Sequence, residues 1–148
     1  MANESKFSGQ VRKCIEAQLP GAWARKIPGN PYGAGGLPDI VGIWNRGFGI
    51  ECKLTDKLPV RDDTNIDFSP VTDLQKFNLA MIEKAQGKSF FLICIEWRYA
   101  VWLPYKSFAS LNFKITKKQL LALAAMPELY VKRSGESWDM SWLKFQLK

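Results

Sequence analysis

Residues 38–54, PDIVGIWNRGFGIECKL, constrain the fold more tightly than any other stretch of the chain. Pro38-Asp39 opens an apolar run containing Ile40, Val41, Ile43 and Trp44, and Asn45-Arg46-Gly47 has the composition of a turn. Phe48 to Leu54 then alternates with period two. The spacing predicts a β-hairpin with strands at about 38–44 and 48–54. Side chains two apart on a strand share a face, so Glu51 and Lys53 point one way. Ile50, Cys52 and Leu54 point the other way, into a core. Pairing of the two strands brings Asp39 to the end where the charged face emerges.

Two carboxylates and an ammonium at one hairpin end suit a particular chemistry. Magnesium takes hard oxygen ligands and is typically held by one or two carboxylates plus substrate phosphate oxygens. Asp39 and Glu51 supply carboxylates, and the backbone carbonyl of Cys52 adds a third oxygen. A cation held there polarises a phosphodiester and acidifies a water, and Lys53 orients that water or offsets charge developing on the phosphate. Each fragment alone has a plainer explanation. Glu-x-Lys on a strand is usually a solvated ion pair worth roughly 0–1 kcal/mol, and Pro-Asp is a common turn. Their order, their apolar flanks and Gly35-Gly36 just upstream favour the chemical reading.

Composition removes rivals. The chain has 148 residues and no histidine, which excludes Ser-His-Asp and Cys-His nucleophile pairs, histidine general bases and His-containing zinc sites. Cys14, Cys52 and Cys94 are an odd count in apolar contexts and read as reduced core residues. No apolar run approaches the ~18 residues a membrane span needs, and the N-terminus lacks an apolar signal core. A single domain over residues 1–148, cytoplasmic, is the expectation. The net charge of +7 points to an anionic partner. Basic residues recur in small groups (Arg12-Lys13, Arg25-Lys26, Lys114, Lys117-Lys118, Lys132-Arg133, Lys144, Lys148) that suit DNA phosphates. Trp23, Tyr32 and Trp97 are candidates to stack on distorted bases.

The remaining pattern places these pieces. A helix is predicted from about Glu4 to Leu19, stopped by Pro20-Gly21, with a short strand from Ala22 to Ile27. Pro28 to Gly36 reads as a flexible glycine-rich approach to the site. Leu54 to Phe68, carrying Asp56, Asp62, Asp63 and Asp67, reads as a mobile loop. A second helix runs from Pro70 to about Gln86, with Leu74, Phe77, Leu79, Ala80, Met81 and Ile82 as its apolar positions and Thr72 or Ser69 as its cap. Ser89 to Glu96 is a buried strand, paired with Tyr99 to Leu103 across Glu96-Trp97-Arg98. Ile115 to Ala125 is a helix capped by Thr116. Trp138, Met140, Trp142, Leu143, Phe145 and Leu147 suggest a final strand by alternation.

Asp39 followed by Glu51-Cys52-Lys53 across a hairpin resembles the PD-(D/E)xK nuclease superfamily. With the helix opening at Phe68–Gln75 and the strands that follow, the chain is most similar to RecU-type Holliday-junction resolvases over roughly residues 4–110. The archaeal and phage resolvases and VRR-NUC domains are less close. The resemblance implies an α/β restriction-endonuclease-like core, in αβββαββ order, with a central mixed β-sheet flanked by helices. It implies Asp39 and Glu51 as metal ligands, Lys53 as the catalytic lysine, and Gln75 as a supporting residue on the helix after the motif. It also implies a glutamate on the first helix. Glu4 lies seven and eleven residues before Val11 and Ile15, on their face, whereas Glu16 neighbours Ile15 and points off it, so Glu4 is preferred. The expected cofactor is magnesium, with manganese as a substitute. The expected partner is branched DNA, a four-way junction above all, cut by a homodimer. A flap nuclease of the VRR-NUC kind, or a non-cleaving nucleic-acid-binding module on the same fold, is the alternative, and a bacterial or phage-infected cell the implied setting.

Overall fold

The computed structural model describes residues 2–28 and 36–148. The expected glycine-rich approach, with Tyr32 and Gly35, lies almost wholly outside them. The elements run α1 (Ala2–Gln18), β1 (Trp23–Lys26), β2 (Ile40–Trp44), β3 (Arg46–Thr55), α2 (Asp73–Lys84), β4 (Lys88–Ile95), β5 (Tyr99–Pro104), α3 (Tyr105–Ser110), α4 (Lys117–Ala124), β6 (Tyr130–Ser134), β7 (Ser137–Trp138) and α5 (Ser141–Leu147). The strands form one seven-stranded sheet in the order β1-β2-β3-β4-β5-β6-β7. Neighbours are antiparallel except β3 and β4, which pair in parallel across the connection that contains α2. Among the described residues no helix is long and apolar enough to cross a membrane.

The β2–β3 hairpin turns tightly. Trp44 pairs with Arg46, so Asn45 alone carries the reversal, at φ 64, a left-handed conformation that asparagine tolerates better than most residues. The expected turn at 45–47 shrinks accordingly, and Arg46 and Gly47 belong to β3. Both faces of β3 are covered from Phe48 to Thr55. Helix α1 packs against β1, β3 and β7 through Phe7, Val11, Cys14 and Ile15, and α2 packs against β3 and β4. Close approach of α2 needs a bare backbone beneath it. A Cβ at Gly49 would lie 2.6 Å from Ile82 Cδ1. That proximity lets the first turn of α2 reach the β3 residues next along the strand.

Three expectations change on contact with the fold. Leu74, Phe77 and Met81 do not enter the core: they lie on an exposed stripe of α2, while Leu79 alone of its apolar set is fully buried. The apolar positions of α2 therefore span more of its circumference than the sheet can cover.

Residues 56–72 carry no helix or strand, so the loop expected at 54–68 begins after Thr55 and runs on to α2 at Asp73, and it is tied down rather than loose. Ile66 is buried and its N–H donates to Ile115 O at 2.8 Å. Lys117 and Lys118 N–H donate to Thr64 O and Asp62 O, both at 2.9 Å. These are free donors at the start of α4, so the loop serves as that helix's cap as well as Thr116 does.

The C-terminal strand is the third correction. Only Ser137–Trp138 is extended, and Ser141–Leu147 is helical, with Asp139 accepting the Ser141 N–H at 2.9 Å. The alternation of Trp138, Met140 and Trp142 is real, but the buried set is Met140, Leu143 and Leu147, which has helical spacing. The two patterns give different mutational signatures. On the helix, Leu143→Ala costs about 2–4 kcal/mol whereas Phe145→Ala, 71% exposed, changes stability by no more than about 0.5 kcal/mol. On a strand the two would share a face and cost alike, and urea unfolding of the two variants separates the cases.

Candidate active site

The register of the hairpin creates the site. Ile40 pairs with Ile50, and extending that register by two residues sets Pro38 opposite Cys52. Proline has no N–H to give, so the Cys52 carbonyl is left without its ladder donor. The Cys52 N–H, which faces the same edge, is taken instead by Asp39 Oδ2 at 2.8 Å. Asp39 N–H in turn donates to Glu51 Oε1 at 3.1 Å. Asp39 is thus fixed from both ends, with the Glu51 carboxylate and the Cys52 backbone beside it at one strand end.

Glu51 and Lys53 share a face, but it is not solvated: each is 1% exposed. Lys53 Nζ lies 3.5 Å from Glu51 Oε2, 3.0 Å from Ser69 Oγ and 3.4 Å from Pro70 O. An ammonium has three protons, and these are three acceptors. Gln75 reaches the same carboxylate. Its Nε2 donates to Glu51 Oε2 at 2.6 Å while its Oε1 accepts the Thr72 N–H at 3.0 Å. Thr72 accepts the Gln75 N–H in return, a capping box, so the residue that caps α2 also holds Glu51.

Glu4 joins this cluster from α1. Ser69 Oγ donates to its carboxylate, 3.1 Å from both oxygens. Glu16 does not join: it is paired with Arg12 and lies 3.7 Å from Arg25. The sequence gives no direct signal for Ser69, whose other expected task, capping α2, falls to Thr72. A cleft of about 440 Å³ opens along this side, lined by Glu4, Thr55, Asp56, Asp67, Phe68 and Ser69 among others.

The electrostatics are unbalanced. Burial pushes the Asp39 and Glu4 carboxyls above their ordinary range. Burial, and next the negative charge of Asp39, pushes Glu51 up to about 8. In each case the Lys53 ammonium works the other way and does not prevail. Ionising these carboxyls would bury negative charge that Lys53 alone does not offset, and a bound cation would relieve it. Among the described residues no three His, Cys, Asp or Glu side chains are grouped to hold a metal. The donor set here is two carboxylates and one carbonyl, all hard oxygen, which suits magnesium or manganese and leaves places for water and phosphate. The residues fit such an ion.

The fold has a solved counterpart. The chain is similar to Archaeoglobus fulgidus Hjc, a Holliday junction resolvase from an archaeal hyperthermophile, with a TM-score of 0.51 and 16% identity, covering 77% of this chain and 89% of that one. The fold is restriction-endonuclease-like. No protein-family model matches the chain, and no curated protein matches it either.

Other expected contacts sit away from this cluster or are already engaged. Trp97 is half-buried against Phe7 and Trp138, and Arg133 donates to its carbonyl, so both serve the packing of the C-terminal hairpin. Trp23 is 46% exposed with the Arg25 guanidinium 5.0 Å from its ring centroid. Lys13, Arg25, Lys114, Lys118, Lys132 and Lys148 are exposed, and Arg12 and Lys117 lie within salt-bridge distance of Glu16 and Asp62.

Proposed function

We propose that this protein is a magnesium-dependent, structure-selective DNA endonuclease, most concretely a Holliday-junction resolvase. The observation that carries the reading is the convergence of Asp39 and Glu51 beside a buried, fully hydrogen-bonded Lys53. A binding module has no need to bury two carboxylates against each other where phosphates must approach. The likeness to Hjc and the net charge of +7 support a branched DNA substrate.

In this reading Asp39, Glu51 and the Cys52 carbonyl hold the cation, which when bound neutralises phosphate charge and acidifies a water. Asp39 is kept in place by the Cys52 amide, and Glu51 by Gln75 and the Asp39 amide. Lys53, its three protons engaged by Glu51, Ser69 and Pro70, offsets through its positive charge the charge developing on the phosphate. Replacing it therefore affects rate rather than affinity. Lys53→Met, which keeps the volume of the buried stem, lowers kcat on a junction by about 10²–10³-fold and leaves the Kd nearly unchanged. Equal losses in kcat and affinity would recast Lys53 as a phosphate anchor.

Resolution of a four-way junction requires two symmetric nicks, and a homodimer supplies the second site. The test maps cut positions on each strand of a labelled junction, with a flap and a linear duplex alongside. Paired nicks related by the junction's two-fold axis support the resolvase. Cutting of the flap in preference moves the reading to a flap nuclease.

A further inference from the structure

We propose that Ser69 is a positioning residue of this site, its hydroxyl aiming the Lys53 ammonium while tying Glu4 to it. The consequence for catalysis rests on the nuclease reading above; the hydrogen-bond assignment rests on geometry alone. Lysine has donors and no acceptor, so the 3.0 Å contact between Lys53 Nζ and Ser69 Oγ fixes the serine as acceptor there. The hydroxyl then has one proton left, and the Glu4 carboxylate, 3.1 Å away through both oxygens, takes it. A chain of donors runs from Lys53 through Ser69 to Glu4 with its direction determined.

Three further observations give this chain a purpose. Ser69 is not needed as a helix cap, because Thr72 and Gln75 close that end of α2 reciprocally. Two of the three acceptors of Lys53 come from consecutive residues, Ser69 and Pro70, so one short stretch of backbone decides where the ammonium points. Among the described residues Ser69 is also the hydrogen-bond partner recorded for Glu4, so α1 meets the site through it. The stretch is held in turn: Ile66, three residues before it, is buried and bonded to Ile115 at the foot of α4. Without the hydroxyl, Lys53 keeps Glu51 and the Pro70 carbonyl, and the ammonium settles toward the Glu51 carboxylate.

The experiment compares the full chain with Ser69→Ala and Ser69→Thr by two readouts. The first is proton exchange of the Lys53 ammonium, followed by nitrogen-detected NMR of the side chain, which needs no substrate. The second is junction cleavage in magnesium. Ser69→Ala is expected to speed ammonium exchange by about 10-fold and to lower kcat by about 10-fold at unchanged KM. Ser69→Thr, which keeps the hydroxyl, restores both to within about 2-fold. An unchanged Lys53 signal in folded Ser69→Ala protein overturns the inference, as does a loss shared by kcat and KM that Ser69→Thr fails to rescue. A wild type that cuts no branched DNA, with Lys53 exchange still responding to Ser69→Ala, overturns the nuclease reading and upholds the hydrogen-bonded link.

Discussion

Asp39→Asn protein is expected to lose junction cleavage by on the order of 10³-fold or more while binding the junction as tightly as the wild type, or more tightly. The substitution is close to isosteric, and the amide oxygen still accepts the Cys52 N–H that Asp39 Oδ2 accepts now. The fold of the hairpin end is thus kept while one negative charge is removed from the place where the proposed reading brings the phosphate. Glu51→Gln should be as inactive, but it is the less clean variant. Three donors converge on Glu51, from Asp39, Gln75 and Lys53, and an amide offers them a single oxygen. Cleavage by either variant at the wild-type rate in magnesium would remove that residue from the site.

The second large effect concerns stability in the absence of metal. Glu51 titrates at about 8 in the folded chain, against an ordinary value of 4.5, and Asp39 and Glu4 are also raised. Between those limits the folded state holds more protons than the unfolded one, so stability falls as pH rises. The stabilising contribution of the protonated carboxyl is complete below about pH 4.5 and is lost by the time pH passes 8. The size is a few kcal/mol, to order of magnitude, since one pKa unit corresponds to about 1.4 kcal/mol. The chain has no histidine, so apart from the terminal amine the Glu51 carboxyl dominates titration between pH 5.5 and 8. The melting temperature of metal-free protein should therefore drop across that interval, and Glu51→Gln should flatten the drop. On the proposed reading magnesium is held by the ionised carboxylates, so it should raise the melting temperature at pH 8 far more than at pH 5.5. A flat profile, or an equal effect of magnesium at both values, would contradict the buried, undercompensated pair.

Much of this architecture is legible in the chain because local and global signals agree. Period-two alternation around Glu51, a run of apolar residues at 90–95, and Thr72 and Thr116 each followed three residues later by glutamine all mark elements that form near their expected bounds. The side chains Asp39, Glu51, Lys53, Gln75 and Glu4 are brought into one hydrogen-bonded cluster, because register, a capping box and a helix face each specify where one of them sits. What escapes the sequence depends on tertiary contacts. Nothing local says that the Glu51 face is covered rather than solvated, since the cover comes from residues 69–75 across the chain. Ser69 is invisible for the same reason, its partners lying 16 and 65 positions away. The last helix is masked by a mixture of periods: large apolar residues at 138, 140 and 142 imitate a strand, while 140, 143 and 147 carry the helical spacing of the buried positions around α5. Short helices α3 and α5 and strand β6 add to the αβββαββ core without a strong pattern of their own.

The most direct test of the central claim is the time course of a labelled four-way DNA junction incubated with the protein in magnesium and in chelator, with Asp39→Asn protein in parallel. The account predicts cleavage that requires both the cation and the Asp39 carboxylate, and undiminished binding when either is missing. Tight, salt-sensitive binding without cleavage in magnesium or manganese would contradict it and leave a nucleic-acid-binding module on a nuclease fold.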